Sequence, residues 1–299
     1  FRRVLFRSGL AGNMTRDEYF ESVGRIKRYI LDGDVYQVNF SQRFCEDFSG
    51  GGVELFCSQL GYAGGPFSAY LSGDGFDVVS ASPELFVDVR GERVVTRPIK
   101  GTRRRVAGAG DDDARNSAAI DELLRCEKEQ AELNMIIDLE RNDLTRICRA
   151  GSIKVSRPRR IERYATVYHC MADVEGLLRE GFVDGWRGRL DGESFCRFLK
   201  GVFPGGSISG APKISAMNII NELEPTAREV YTGSIGFISQ CGSVCLNIAI
   251  RTVIIVEGKA YVQVGGAVVA DSEAANEWRE TLVKAAGCVQ AIRAARASG

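Results

Sequence analysis

Apolar residues near the start of the chain recur with a helical period: Tyr19, Val23, Ile26 and Ile30 fall four, three and four positions apart. Thr15 stands where an N-cap hydroxyl is needed, Asp17 and Glu18 follow in the first turn, and Gly33 supplies a stop. From 35 to 44 the period shortens to two. Tyr36, Val38 and Phe40 then share one face and Gln37, Asn39 and Ser41 the other, the pattern of a half-buried strand whose polar face is a candidate site wall.

The same reading predicts strands at 78–82, 85–89 and 94–99, the last two joined by a hairpin across Arg90-Gly91-Glu92. A loop rich in Arg, Gly and Asp covers 103–113, and a helical stretch without Gly or Pro covers about 116–142. Strands are predicted at 151–155 and 167–176, and a short helix at 193–199. A Gly-rich turn at 203–213 opens a helix with Pro212 in its first turn. Strands at 233–239, 244–255 and 260–264 precede a last helix at about 273–295. Strands do not alternate strictly with helices and several are hairpin-linked. The expected class is therefore α+β, a single large domain of antiparallel sheets flanked by helices, rather than a doubly wound fold.

Composition narrows the function classes. The 299 residues are 44% hydrophobic and 26% charged, enough for a large core. Lys plus Arg and Asp plus Glu each total 39, so no net field favours nucleic acid or an anionic membrane, and a small-molecule substrate fits better. The longest apolar runs, such as 253–256, are strand-sized against the roughly 20 residues a membrane span needs. Residues 1–8 are basic and apolar without a signal-type cleavage site. Residues 1–13 read as a non-native or linker segment and 14–295 as the domain. Nine scattered cysteines with no C-x-x-C pair point to a reducing, cytoplasmic compartment. The single histidine, His169, rules out a His-rich zinc site, and Cys241 with Cys245 lacks a second pair.

Four constellations carry candidate chemistry. Glu129 and Glu132 lie three apart on one helix face, and Glu277 and Glu280 repeat the spacing on the last helix with Lys284 one turn on. Such pairs suit a hard cation such as Mg²⁺, although the same spacing is found on any solvated helix face. The run Gly205 to Lys213 offers backbone N–H groups to a carboxylate but lacks P-loop spacing, and a plain tight turn reads the same way. In Arg97-Pro98-Ile99-Lys100-Gly101-Thr102 a single lysine sits beside Arg97 and Arg103 to Arg105. Crowding cations and desolvation would make its amine nucleophilic, whereas an exposed lysine in a basic loop would not be. Arg251 falls on an apolar strand and needs an anionic partner, either a substrate carboxylate or a structural glutamate. His169, on another strand, reads either as a site residue or as a satisfied core histidine.

The order of these blocks resembles the chorismate-utilising enzyme family. The matching segments are Gly33-Asp34-Val35-Tyr36-Gln37, Ser82-Pro83-Glu84-Leu85-Phe86, Pro98 to Thr102, Ile136 to Leu144, Ser209 to Lys213, Ile250-Arg251-Thr252, and Asp271-Ser272 followed by Glu277 to Lys284. The resemblance implies a chorismate-binding α+β domain with Mg²⁺ held most directly by Glu132 and Glu280, with Glu129 and Glu277 near or through water. It implies that Arg251, Tyr231 and Lys284 hold the enolpyruvyl carboxylate and that Gly101, Thr102, His169 and Ser207 line the ring. Ser207 is usually threonine in the family. Gly265 and Ala267 stand where backbone N–H groups meet a carboxylate, and Ala267 in place of the usual glycine suggests a slightly altered path. Trp278 replaces the usual tyrosine.

Within the family the chain resembles aminodeoxychorismate synthase component I. Water-adding members carry a base lysine where Gln37 stands, and anthranilate synthases usually carry alanine where Lys100 stands. The resemblance then implies attack by Lys100, proton donation by Glu84, and ammonia from a separate or fused glutaminase subunit. Anthranilate synthesis, or a non-catalytic chorismate-binding module, remain the alternatives. Full-length relatives carry a further N-terminal region before the point where this chain begins.

Overall fold

The computed structural model describes residues 10–106, 108, 110–164, 167–182 and 192–297. Of the segment 1–13 read as non-native or linker, residues 1–9 lie outside the described residues, whereas Ala11 and Gly12 pair with Cys45 and Phe44. The chain begins with β1 (Ala11–Gly12), α1 (Arg16–Leu31), β2 (Gln37–Asp47) and α2 (Gly52–Ala63). Strands β3 (Phe67–Gly73), β4 (Phe76–Ser82), β5 (Leu85–Arg90), β6 (Arg93–Arg97) and β7 (Ile99–Arg104) follow. Then come α3 (Ala114–Arg125), α4 (Glu127–Thr145), β8 (Lys154–Arg163), β9 (Val167–Leu177) and α5 (Gly192–Val202). The remainder is β10 (Gly210–Ala211), α6 (Lys213–Leu223), β11 (Gly236–Ile238), β12 (Val244–Asn247), β13 (Thr252–Val256), β14 (Lys259–Val268) and α7 (Ala274–Ala297). Every strand pairing described is antiparallel, so the class is the α+β one that the pattern predicts.

Two compact units share this chain, one formed by Phe1–Pro83, Ile208–Ile235 and Ile248–Gly299, the other by Glu84–Ser207 and Gly236–Asn247. Neither is a continuous stretch of chain. In the first unit the sheet order is β1-β2-β14-β13-β4-β3, with β10 also paired to β2. The N-cap predicted at Thr15 is present, and Glu18 completes it as a capping box: Thr15 Oγ1 accepts the Glu18 N–H while Glu18 accepts the Thr15 backbone N–H. Tyr19, Val23 and Ile26 of α1 pack with Val38 and Phe40 of β2, and Trp278 of α7 meets Tyr19 edge-on at 5.2 Å. A second cluster joins Leu55 of α2 to Ala285, Cys288, Val289 and Ile292 of α7. The small residues there let the two helices approach closely, and each large apolar side chain removed from water contributes about 1.5–3 kcal/mol.

Several expectations are corrected. Tyr36 precedes β2 and is 69% exposed, while the polar partners Gln37, Asn39 and Ser41 are buried along with Val38 and Phe40. β2 is therefore covered on both faces, and it lies inside a sheet with β14 on one edge and β1 and β10 on the other. The apolar run 244–255 is two strands of two sheets, parted by Arg251 at φ 51°, so Arg251 sits in a break and not on a strand. The long helix is α3 and α4, broken at Cys126, which adopts an extended backbone. Pro212 stands one position before α6 as its N-cap. The pattern missed α2, which starts at Gly52 behind Gly50 and Gly51 with no capping side chain, and it missed β3.

In the second unit the order is β11-β12-β5-β6-β9-β7, with β8 on the other edge of β9. Strands β6 and β7 form one bent edge partner of β9, parted at Pro98, whose carbonyl accepts the Ala172 N–H. Proline cannot donate to a ladder, which is why the pairing shifts there. Among the described residues no helix is long and apolar enough to cross a membrane.

Candidate functional site

The bend at Pro98 places Lys100, Gly101 and Thr102 on β7 against α3 and α4. Lys100 Nζ lies 2.6 Å from Glu132 Oε2, and the two side chains are partly exposed, at 21% and 16%. Gly101 has φ 96°, a left-handed conformation that favours glycine, and a Cβ there would come within 2.9 Å of Leu123 and 3.0 Å of Glu129. Thr102 Oγ1 lies 2.8 Å from His169 Nδ1 on β9, and Tyr164 packs edge-on against the imidazole at 5.4 Å. Of the arginines expected to crowd Lys100, Arg97, Arg103 and Arg105 are turned to carboxylates. Arg97 pairs with Asp173 at 2.7 Å, and Arg103 pairs with Glu122 at 2.8 Å and Glu129 at 2.9 Å. Lys100 therefore faces an anion, and the surroundings differ from the cationic ones predicted.

Glu84, buried just ahead of β5, accepts the Ser207 hydroxyl at 2.7 Å. Glu129 accepts from Arg103 through Oε1, while its Oε2 is buried and has no hydrogen-bond partner. An orphaned carboxylate oxygen three residues from Glu132 is the feature a hard cation would satisfy. Among the described residues no group of three or more His, Cys, Asp or Glu side chains is gathered closely enough to hold a metal. Mg²⁺ is commonly held through one or two carboxylates plus substrate oxygens and water, so a pair is a sufficient protein share.

The first unit contributes a separate set. Glu277 is buried and accepts from Ser272 at 2.8 Å, and Glu280 pairs with Lys284 at 2.8 Å. Both face Gly266 of β14, where a Cβ would come within 3.2 Å of Glu277 Oε2 and 3.7 Å of Glu280 Oε1. Lys284 Nζ also donates to the Gly265 carbonyl at 2.8 Å. Ala267 lies in regular strand opposite Asn39, so the altered path suggested for it is not found. Gln37 is buried with Oε1 lacking a partner. Tyr231 is buried, its phenol pushed up by desolvation, with the Arg228 guanidinium 5.7 Å from the ring centroid. The Arg251 carbonyl accepts from Gln59 and from the Ala81 N–H.

Two features escaped the sequence reading. Arg228 and Glu224 form a buried pair four residues apart, just after α6. Glu140 interrupts the apolar face Leu133, Ile136, Ile137, Leu144 of α4, a charge in a hydrophobic stripe that was a legible signal.

The fold and these residues define an antiparallel α+β protein with paired helical glutamates and a strand lysine. The chain matches the chorismate binding enzyme family over residues 5–290, and it belongs to that family. It is 41% identical over 286 residues to anthranilate synthase component 1 of Aquifex aeolicus, an alignment covering 96% of this chain and 55% of that protein. It is 39% identical over 284 residues to aminodeoxychorismate synthase component 1 of Bacillus subtilis, covering 94% of this chain and 57% of that protein. Among solved structures it is similar to anthranilate synthase component I of Streptococcus pneumoniae, with a TM-score of 0.81 and 32% identity over 93% of this chain and 59% of that one. The chain thus spans a little over half the length of these relatives.

Proposed function

We propose that this chain acts in the amination of chorismate to 4-amino-4-deoxychorismate. The observation that carries the reading is Lys100 on β7, 2.6 Å from Glu132 and followed by Gly101 and Thr102. The family resemblance assigns a lysine at this position to the aminodeoxychorismate branch. Lys100 would attack C2 of the ring as the free amine, its ammonium proton passing to the Glu132 carboxylate beside it. The ring double bonds shift and the C4 hydroxyl departs as water with a proton from Glu84. Ammonia would then bond to C4, the double bonds shift back, and the C2 to Nζ bond breaks. The proton released by the entering ammonia returns to the protein.

Ser207 holds Glu84 through its hydroxyl. Arg251, Tyr231 and Lys284 would take the enolpyruvyl carboxylate, with the backbone of Gly265 and Ala267. The resemblance assigns Mg²⁺ to Glu132 and Glu280 most directly, with Glu129 and Glu277 near or through water. When bound, Mg²⁺ would supply positive charge to a substrate carboxylate and orient it. Relatives carry the name component 1, which supports a second component, and the resemblance points to a glutaminase that delivers the ammonia.

A second reading, anthranilate synthesis, is favoured by the 41% identity to a relative of that name. One assay separates them: purified chain, Mg²⁺, ammonium and chorismate, with products identified by mass. An aminated product that keeps the enolpyruvyl group supports the first reading, and an aromatic amine with released pyruvate supports the second. Chorismate binding without turnover would replace both with a binding module.

A further inference from the structure

Glu140 is 5% exposed on the apolar face of α4, where a carboxylate is costly unless hydrogen bonds replace its water. Two of those bonds reach other segments. Oε1 accepts the Gly206 N–H at 3.1 Å, and Oε2 accepts the Thr96 hydroxyl at 3.2 Å. Gly206 lies flat against α4, since a Cβ there would come within 2.7 Å of Leu139 and 3.2 Å of Glu140 Oε1. Gly205 and Gly206 are consecutive, and two glycines leave a loop with the greatest freedom to wander unless it is tied. The next residue is Ser207, whose hydroxyl donates to Glu84 at 2.7 Å. A continuous chain of contacts therefore runs within the second unit from Glu140 through Gly206 and Ser207 to Glu84.

We propose that Glu140 is a positioning residue: its carboxylate ties 205–207 to α4 and β6 so that Ser207 holds Glu84 in place. The effect on turnover rests on the reading of Glu84 as proton donor, whereas the tether itself does not. Substitutions at Glu140 separate the two. In Glu140→Gln the amide oxygen still accepts from Gly206 and the amide nitrogen can donate to Thr96 Oγ1. Glu140→Asp is one methylene too short to reach both, and Glu140→Ala reaches neither.

The first measurement is hydrogen exchange of the peptide covering 203–208 in the full chain. Protection of Gly206 should fall roughly tenfold or more in Glu140→Ala and Glu140→Asp and stay unchanged in Glu140→Gln. Should the alanine variant fail to fold, the aspartate and glutamine variants still make the comparison. The second is a double-mutant cycle on turnover. Ser207→Ala should lower kcat roughly tenfold in the wild-type and Glu140→Gln backgrounds, and less than about twofold further in Glu140→Ala. A merely structural glutamate would give additive losses instead. Additive losses, or unchanged protection in both the alanine and aspartate variants, overturn the proposal. A wild-type chain that consumes no chorismate while the exchange pattern holds would overturn the reaction and support the tether.

Discussion

Glu224→Leu tests how far a buried ion pair governs this fold. The Glu224 side chain is 3% exposed and that of Arg228 14%. Arg228 Nε donates to Glu224 Oε2 at 2.8 Å and Nη2 to Oε1 at 2.7 Å, and the guanidinium also donates to the carbonyls of Ile208 and Asn39. Glu224 Oε1 further accepts the N–H and the hydroxyl of Ser41, both at 2.8 Å. Removing the carboxylate leaves a buried cation facing only carbonyls and strands two donors of a buried strand residue. The cost expected for breaking such a pair is about 3–5 kcal/mol. With an unfolding entropy of about 2.1 cal/mol/K per residue, a 299-residue chain loses about 6 °C of Tm for about 4 kcal/mol.

Scanning calorimetry with urea unfolding supplies both numbers. The internal control is Asp121→Ala, which breaks a 3.7 Å pair with Arg125 whose side chains are 63% and 82% exposed and which should cost under about 0.5 kcal/mol. Glu224→Leu combined with Arg228→Met should recover at least half the loss, because the uncompensated charge is gone. A single variant melting within about 1 °C of wild type, or a double variant no better than the single, refutes the reasoning.

Lys100→Ala should cost only about 1 kcal/mol of stability, since the pair with Glu132 is partly exposed, yet reduce formation of the 4-amino product by a factor of about 100 or more. Unchanged kinetics would sink the covalent role. Gly101→Ala forces a side chain into a left-handed backbone beside Leu123 and Glu129 and should destabilise the chain by more than about 1 kcal/mol in urea unfolding. Cys241, at the turn between β11 and β12, has its thiol lowered to about 7 by the Ser239 hydroxyl first and the Ser243 hydroxyl second. Its alkylation rate should rise with pH to a half-maximum near 7, and Ser239→Ala should move that midpoint upward. Cys148 and Cys288, pushed up by burial to about 12 and about 11, should stay unlabelled in the folded chain. An alkylation midpoint near the ordinary thiol value of about 8.5 would contradict the Cys241 assignment.

The sequence by itself determined what is encoded within a few neighbouring residues. The box at Thr15 and Glu18, the stop at Gly33 and the hairpin at 90–93 are local chemistry, and all three are present. The order of the chemistry-bearing blocks was enough to place the chain in its family. Tertiary structure alone decided which groups meet. The Leu123 and Leu124 carbonyls at the α3–α4 break accept from Arg159, a side chain more than thirty residues away on β8, so no Gly or Pro was needed to end the helix. Helix α2 lacks a cap and is held by Leu55 against α7. Arg97 and Arg103 left Lys100 to Glu132 because Asp173 and Glu129 were closer partners in space, and spacing along a chain carries no information about charges brought near by a sheet.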